Sequence, residues 1–135
     1  MSGPLHGYRV IDLTTMISGP LATMTLADQG AEVIKIEHPD GGDHSRQVTG
    51  RRGGFTASFL NNNRGKKSVT LNLKDPRGVG AALHLCETAD VFVQNFRPGV
   101  AERIGLGEAA VRAAFPQGEV IASEENLGFA KANNV

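Results

Sequence analysis

Two short apolar runs, RVIDL at Arg9–Leu13 and EVIKIE at Glu32–Glu37, bracket a segment with helix punctuation at both ends, and this pattern constrains the chain more than any other feature. Each run is the length of a buried strand. Between them, Ser18-Gly19-Pro20 reads as a helix start: Ser18 offers a capping oxygen, and Pro20 suits a first-turn position that needs no amide donor. Leu21, Met24, Leu26 and Ala27 carry a helical apolar pattern up to Gln29, and Gly30 supplies a left-handed stop. A strand, a helix and a strand in this order close as a right-handed parallel unit.

A second such unit follows. Ser68–Leu73 alternates polar and apolar residues, as a strand with one wet face does. Asp75-Pro76 repeats the cap-and-proline start, and Arg77–Ala89 places Val79, Ala82, Leu83 and Cys86 on one helical face. Asp90–Gln94 reads as another buried strand, and Glu108–Phe115 as an amphipathic helix. From Pro39 to Lys67 periodicity disappears, and the stretch reads as loop with a short helix near Ala57–Leu60. The expected class is α/β: a partial Rossmann-like parallel sheet built from βαβ units.

Composition narrows the function classes. The formal net charge of zero gives no global attraction to nucleic acid or to an anionic membrane. No apolar stretch approaches the roughly 20 residues of a membrane span, and the first residues show no signal peptide. The single cysteine, Cys86, fits a reducing cytoplasm. His6, His38, His44 and His84 lack metal-ligand spacing.

In open parallel sheets, ligands sit beyond the carboxyl ends of the strands. Three loops leave such ends, Thr14–Pro20, His38–Arg46 and Asn95–Gly99, and Asn61–Lys67 is a fourth segment expected to fold over them. A dinucleotide fingerprint is absent, because Gly19 is the single glycine between Leu13 and Leu21. Gly65-Lys66-Lys67-Ser68 is not a phosphate loop of the Walker type either. What remains is a scatter of cations in irregular segments (Arg51, Arg52, Arg64, Lys66, Lys67, Arg97, Arg103) and an aromatic wall, Phe96. These residues reach as far as a nucleotide-like anion at the strand ends.

Several runs, taken in order, resemble family III CoA-transferases, the group with formyl-CoA transferase, carnitine CoA-transferase and α-methylacyl-CoA racemase. They are LHGYRVIDL from Leu5, the Gly19-Pro20 pair followed by LADQGAEVIKIE from Leu26, and Pro39 with Gly42-Asp43 and Arg46. NRGKKSVTL from Asn63, ADVFVQNFRPGV from Ala89 and ERIGL from Glu102 complete the set. The resemblance implies an acyl-CoA-handling enzyme of two interlocked subunits, a homodimer, whose coenzyme A lies on the Rossmann-like domain. It also implies site roles. Ile17 and Ser18 would line coenzyme A through their backbone, and Asn63 and Lys66 would flank the pantetheine-diphosphate region. Asn95 and Phe96 would meet adenine or ribose, and Arg97 or Arg103 the phosphates. His38 stands where some family members have an arginine, and it carries a full charge only when protonated.

Family transferases use an aspartate nucleophile that forms a mixed anhydride and then an aspartyl-CoA thioester, splitting one acyl exchange into two steps. Racemase members shuttle an α-proton with His and Asp/Glu. In both branches the decisive residues lie downstream of Arg97-Pro98-Gly99, farther than this sequence runs, so no catalytic residue and no metal ligand is assigned. Past Leu106 the resemblance decays, and ENLGFAKANN from Glu125 is similar to a segment of family 2 glycosyltransferases. The expected organisation is therefore a CoA-binding segment at 1–106 and a divergent tail at 107–135. A non-catalytic nucleotide-binding or interaction module and a glycosyltransferase fragment are the rival readings.

Overall fold

The computed structural model describes residues 3–48 and 50–116. Four parallel strands form its sheet: β1 (Arg9–Leu13), β2 (Glu32–Glu37), β5 (Lys67–Thr70) and β6 (Val91–Gln94), in the order β5-β2-β1-β6. A two-residue antiparallel pair, β3 (Arg51–Arg52) and β4 (Phe55–Thr56), stands apart from it. Register pairs Ile11 with Ile34 on one side and with Phe92 on the other, and Ile36 with Val69. The expected α/β class and parallel βαβ units are thus present.

Strand alternation sorts the core onto two faces. Ile11, Leu13 and Ile36 point to the face covered by α3 (Pro76–Cys86), where Ala82, Cys86 and Leu106 are buried with them. Ala114 of α5 (Glu108–Ala114) and Ile104, just after α4 (Val100–Arg103), pack on the same cluster. Val10 and Val33 point to the opposite face, against Leu26 and Ala27 of α1 (Ser18–Asp28). Asp12 and Lys35 share that second parity, and both are fully buried. Burial pushes the Cys86 thiol up to about 11, so it is a packed apolar group rather than a nucleophile.

Local chemistry corrects several expectations. Ile17, not Ser18, holds the cap position of α1 and makes no side-chain cap bond, so Ser18 lies inside the first turn. The cap at Asp75 is as expected, its carboxylate accepting from Arg77 N–H. β5 is shorter than Ser68–Leu73, because after Leu71, whose N–H still donates to Glu37 O, the chain leaves the sheet. β6 is an edge strand with half-buried and exposed residues, not a buried one; its open side has no strand partner among the described residues.

The stretch between Pro39 and Lys67, expected to be loop with a short helix near Ala57–Leu60, holds that helix as α2 (Ala57–Asn63), and also a 3₁₀ turn at His44–Arg46 and the β3–β4 pair. Thr56 caps α2 by accepting from Phe59 N–H and itself donates to Ser45 O. α2 packs on α1, which takes Asn61–Asn63 to the α1 face of the sheet rather than over the strand ends.

Candidate functional site

Beyond the carboxyl ends of β1, β2 and β5 lies a cavity of about 520 Å³. Leu13, Ile36, Leu71, Leu73, Phe96, Val100 and Ile104 make an apolar slot; His38, Asp40, His44 and Lys74 carry polar groups at its edge, and Thr14, Thr15, Lys35, Glu37 and Asp43 complete the polar lining. The slot opens on the α3 face, because Leu13 and Ile36 have that parity. Among the described residues the cavity's side chains suit a flat apolar ring with anionic groups near its polar edge.

Two loops shape it. Side chains from several elements hold the loop after β1: Asp12 accepts from Thr14 N–H at 2.9 Å, and Asn95 both accepts from Thr15 N–H and donates to Thr15 O at 3.0 Å. Asp43 adds to them, its Oδ1 accepting from Met16 N–H at 3.1 Å. Met16 has φ +73°, a left-handed conformation that costs a non-glycine residue on the order of 1–3 kcal/mol. Gly19 lets α1 approach this loop, since a Cβ there would lie 2.5 Å from Thr14 Cβ. The loop after β2 turns through Gly42 (φ +67°), where a Cβ would lie 2.5 Å from Glu37 Oε2.

On the α1 face runs a buried ionic network, three of whose members, Lys35, Glu37 and Asp43, also reach the cavity wall. Lys66 Nζ donates to Asp12 Oδ2, Pro20 O and Asn63 Oδ1 at 2.8–2.9 Å. Lys35 Nζ donates to Thr14 O at 2.7 Å and sits 2.9 Å from Asp43 Oδ2. That oxygen has no well-directed hydrogen bond among the described residues; charge alone balances it. Glu37 takes a bidentate pair from Arg46 at 2.7 Å, with further donors from Ser68 Oγ and Asp43 N–H. Arg46 also lies 3.6 Å from the centre of the Phe59 ring.

Burial sets these groups' titration against their partners. For Glu37, desolvation pushes the pKa up, but Arg46, Ser68 and the Asp43 amide outweigh it and hold the carboxyl at about 2. Asp43 is likewise lowered, burial being overcome by Lys35 and the Ser45 donors. Lys66 is lowered because burial outweighs its Asp12 pair.

The structure divides the residues expected at the site. His38 and Phe96 line the cavity, and Phe96 packs on the core as well. His38 Nδ1 accepts from Asp40 N–H at 3.0 Å, which leaves Nε2 to carry the proton of the neutral ring. Asn95 fixes the loop after β1 through both ends of its amide. Ile17 and Ser18 are exposed at the start of α1, Arg97 is exposed next to Phe96, and Arg103 is exposed at the end of α4, beside cavity-lining Ile104. Asn63 and Lys66 lie in the network behind the loops and do not line the cavity. Sequence reasoning missed Leu71, Leu73 and Lys74. The strand-end rule finds them once β5 is ended at Thr70.

The profile of CoA-transferase family III matches residues 5–121. The chain belongs to this family. The match runs past Leu106, so α5 falls inside it; the glycosyltransferase-like segment from Glu125 lies outside both the match and the described residues. The probable fatty acyl-CoA transferase Rv3272 of Mycobacterium tuberculosis is 47% identical over 116 residues, covering 84% of this chain and 29% of that protein. Succinyl-CoA:glutarate CoA-transferase of Mus musculus is 50% identical over 106 residues, covering 77% and 24%. A crystal structure of an Rv3272 variant from Mycobacterium tuberculosis superposes with a TM-score of 0.78 at 47% identity, over 85% of this chain and 31% of that one. A CAIB/BAIF family protein from Brucella suis gives 0.76 at 35% identity, over 84% and 31%. The chain thus spans about a quarter to three tenths of the length of these relatives. No helix among the described residues is long and apolar enough to cross a membrane.

Proposed function

We propose that the chain binds the phosphoadenosine end of coenzyme A thioesters, as the N-terminal part of an acyl-CoA transferase. The observation that carries this reading is the strand-end cavity itself, an apolar slot with His38, His44 and Lys74 at its polar edge. Adenine stacks in the slot against Phe96; Lys74, Arg97 and Arg103 supply the positive charge for the phosphates, and the neutral His38 ring offers them its Nε2–H as a donor. The backbone at Ile17 and Ser18 continues the path from the loop after β1. Asn95 acts by holding that loop, and Asn63 and Lys66 act from behind it.

Acyl transfer itself is assigned to none of the aspartates here. Asp12 and Asp43 are buried among donors, Asp28 pairs with Arg64, Asp75 caps α3, Asp90 accepts from Arg9 N–H, and Asp40 is solvated at a turn. The parent enzyme works in the cytoplasm as an interlocked homodimer. Isothermal titration with coenzyme A, NAD and a UDP-sugar tests the binding step. Selective heat with coenzyme A is the expected result. Equal heats with NAD, or heat with the UDP-sugar alone, would overturn the reading, as would silence with all three.

A further inference from the structure

We infer that Asp43 is a positioning residue: its buried carboxylate locks the loop after β1 to the loop after β2, and so holds the cavity in the shape that receives coenzyme A. This rests on the reading of the cavity given above. The two loops supply facing parts of its polar edge, Thr14 and Thr15 from one, His38, Asp40 and His44 from the other. Asp43 Oδ1 gathers donors from both: Met16 N–H at 3.1 Å, and Ser45 N–H and Oγ at 2.9 and 2.8 Å. Its own N–H donates to Glu37 Oε2 at 3.0 Å. Met16 adopts its left-handed backbone while donating to this carboxylate, so the same contact stabilises a strained turn.

Asp43 and Lys35 both form part of the cavity wall, but their charges are paired with each other rather than turned to the open slot. Asp43 is 2% exposed, and its Oδ2 faces Lys35 Nζ at 2.9 Å. The other charges packed around it are already in pairs, Asp12 with Lys66 and Glu37 with Arg46. Nothing in this group is left to bind an anion. It acts on the ligand through the loops.

A double-variant cycle tests the inference. Asp43→Asn leaves the Lys35 ammonium facing an amide, which drives the two loops apart; because apparent affinity scales with the fraction of molecules holding both loops, the coenzyme A Kd should rise about tenfold. Lys35→Met with Asp43→Asn removes both charges and keeps a carboxamide oxygen in place to accept from Met16 and Ser45, so the Kd should return to within about threefold of the starting protein. An unchanged Kd in Asp43→Asn overturns the inference. So does a double variant as weak as the single, because Lys35 or Asp43 would then meet the ligand directly. Hydrogen exchange on the unaltered chain needs no variant: coenzyme A should slow the Met16 and Ser45 amides together, and protection of one without the other refutes the lock. If the unaltered chain gives no coenzyme A heat, the proposed function fails instead, which separates the two ideas.

Discussion

Replacing Glu37 by Gln isolates the best-defined electrostatic contribution in the molecule. The Glu37 carboxylate is buried, 5% exposed, with a bidentate arginine and two further donors. Its pKa falls from an ordinary 4.5 to about 2. At 1.36 kcal/mol per unit, that difference is worth roughly 3 kcal/mol of folding stability at neutral pH. Because the folded-state value is the lower one, this contribution is fully present above about pH 4.5 and is lost as pH falls towards about 2. Glu37→Gln should therefore destabilise the fold by about 3 kcal/mol at pH 7, and the deficit should shrink steadily below about pH 4.5.

Urea unfolding of both proteins across that pH range is the assay. Asp43, Glu32 and Asp75 are also held low, by the Lys35, Lys67 and Arg77 pairs respectively, working against burial. The losses at Glu32 and Asp75 occur in both proteins and largely cancel in the difference, which leaves the share of Glu37 and of Asp43, whose N–H donates to it. A deficit of the same size at pH 7 and near pH 2 would refute the electrostatic account and make the Glu37 effect one of shape.

Two further substitutions separate the cavity from the network behind it. Lys74→Ala removes a cation from the cavity's polar edge; titration should show coenzyme A binding weakened about tenfold with no change in melting temperature. Lys66→Met breaks a buried pair and leaves Asp12 short of its main charge partner, so thermal melting should fall by about 10 °C while the folded protein keeps its coenzyme A affinity within about threefold. A large affinity loss without a melting shift would put the Lys66 ammonium on the ligand.

Much of the fold is legible because its punctuation is local. Arg9–Leu13 and Glu32–Glu37 are too short and too apolar for anything but strands, and Gly30 and Asp75-Pro76 mark helix ends by their own backbone chemistry. What misled was whatever depends on neighbours distant in sequence. Val91-Phe92-Val93 has the composition of an internal strand, yet it lies at the sheet edge because no other described strand comes to its side. Lys66 looks like a solvated loop cation, since lysine is rarely buried unless paired, and its partner Asp12 lies fifty-four residues earlier.

The same distinction explains why Asn63 and Lys66, carried over by motif, do not line the cavity. A motif gives the position of a residue along a strand end but not the face it serves; parity does. Ile11, Leu13, Ile34 and Ile36 share the face of the cavity, while Val10, Asp12, Val33 and Lys35 share the face of α1. Charged residues with the second parity at the carboxyl end of a buried parallel strand must find partners under the helix on that face, because an unpaired charge there costs several kcal/mol. Asp12 and Lys35 therefore demand cations and carboxylates from the segments that cross above α1, and Lys66 and Asp43 are the ones that arrive. The cavity's open edge keeps what the opposite face and the loop tips offer, among them Phe96, His38 and Lys74. Under the proposed function, strand parity applied to the ordered motifs separates the cation at the cavity's open edge, Lys74, from Lys66, buried under α1.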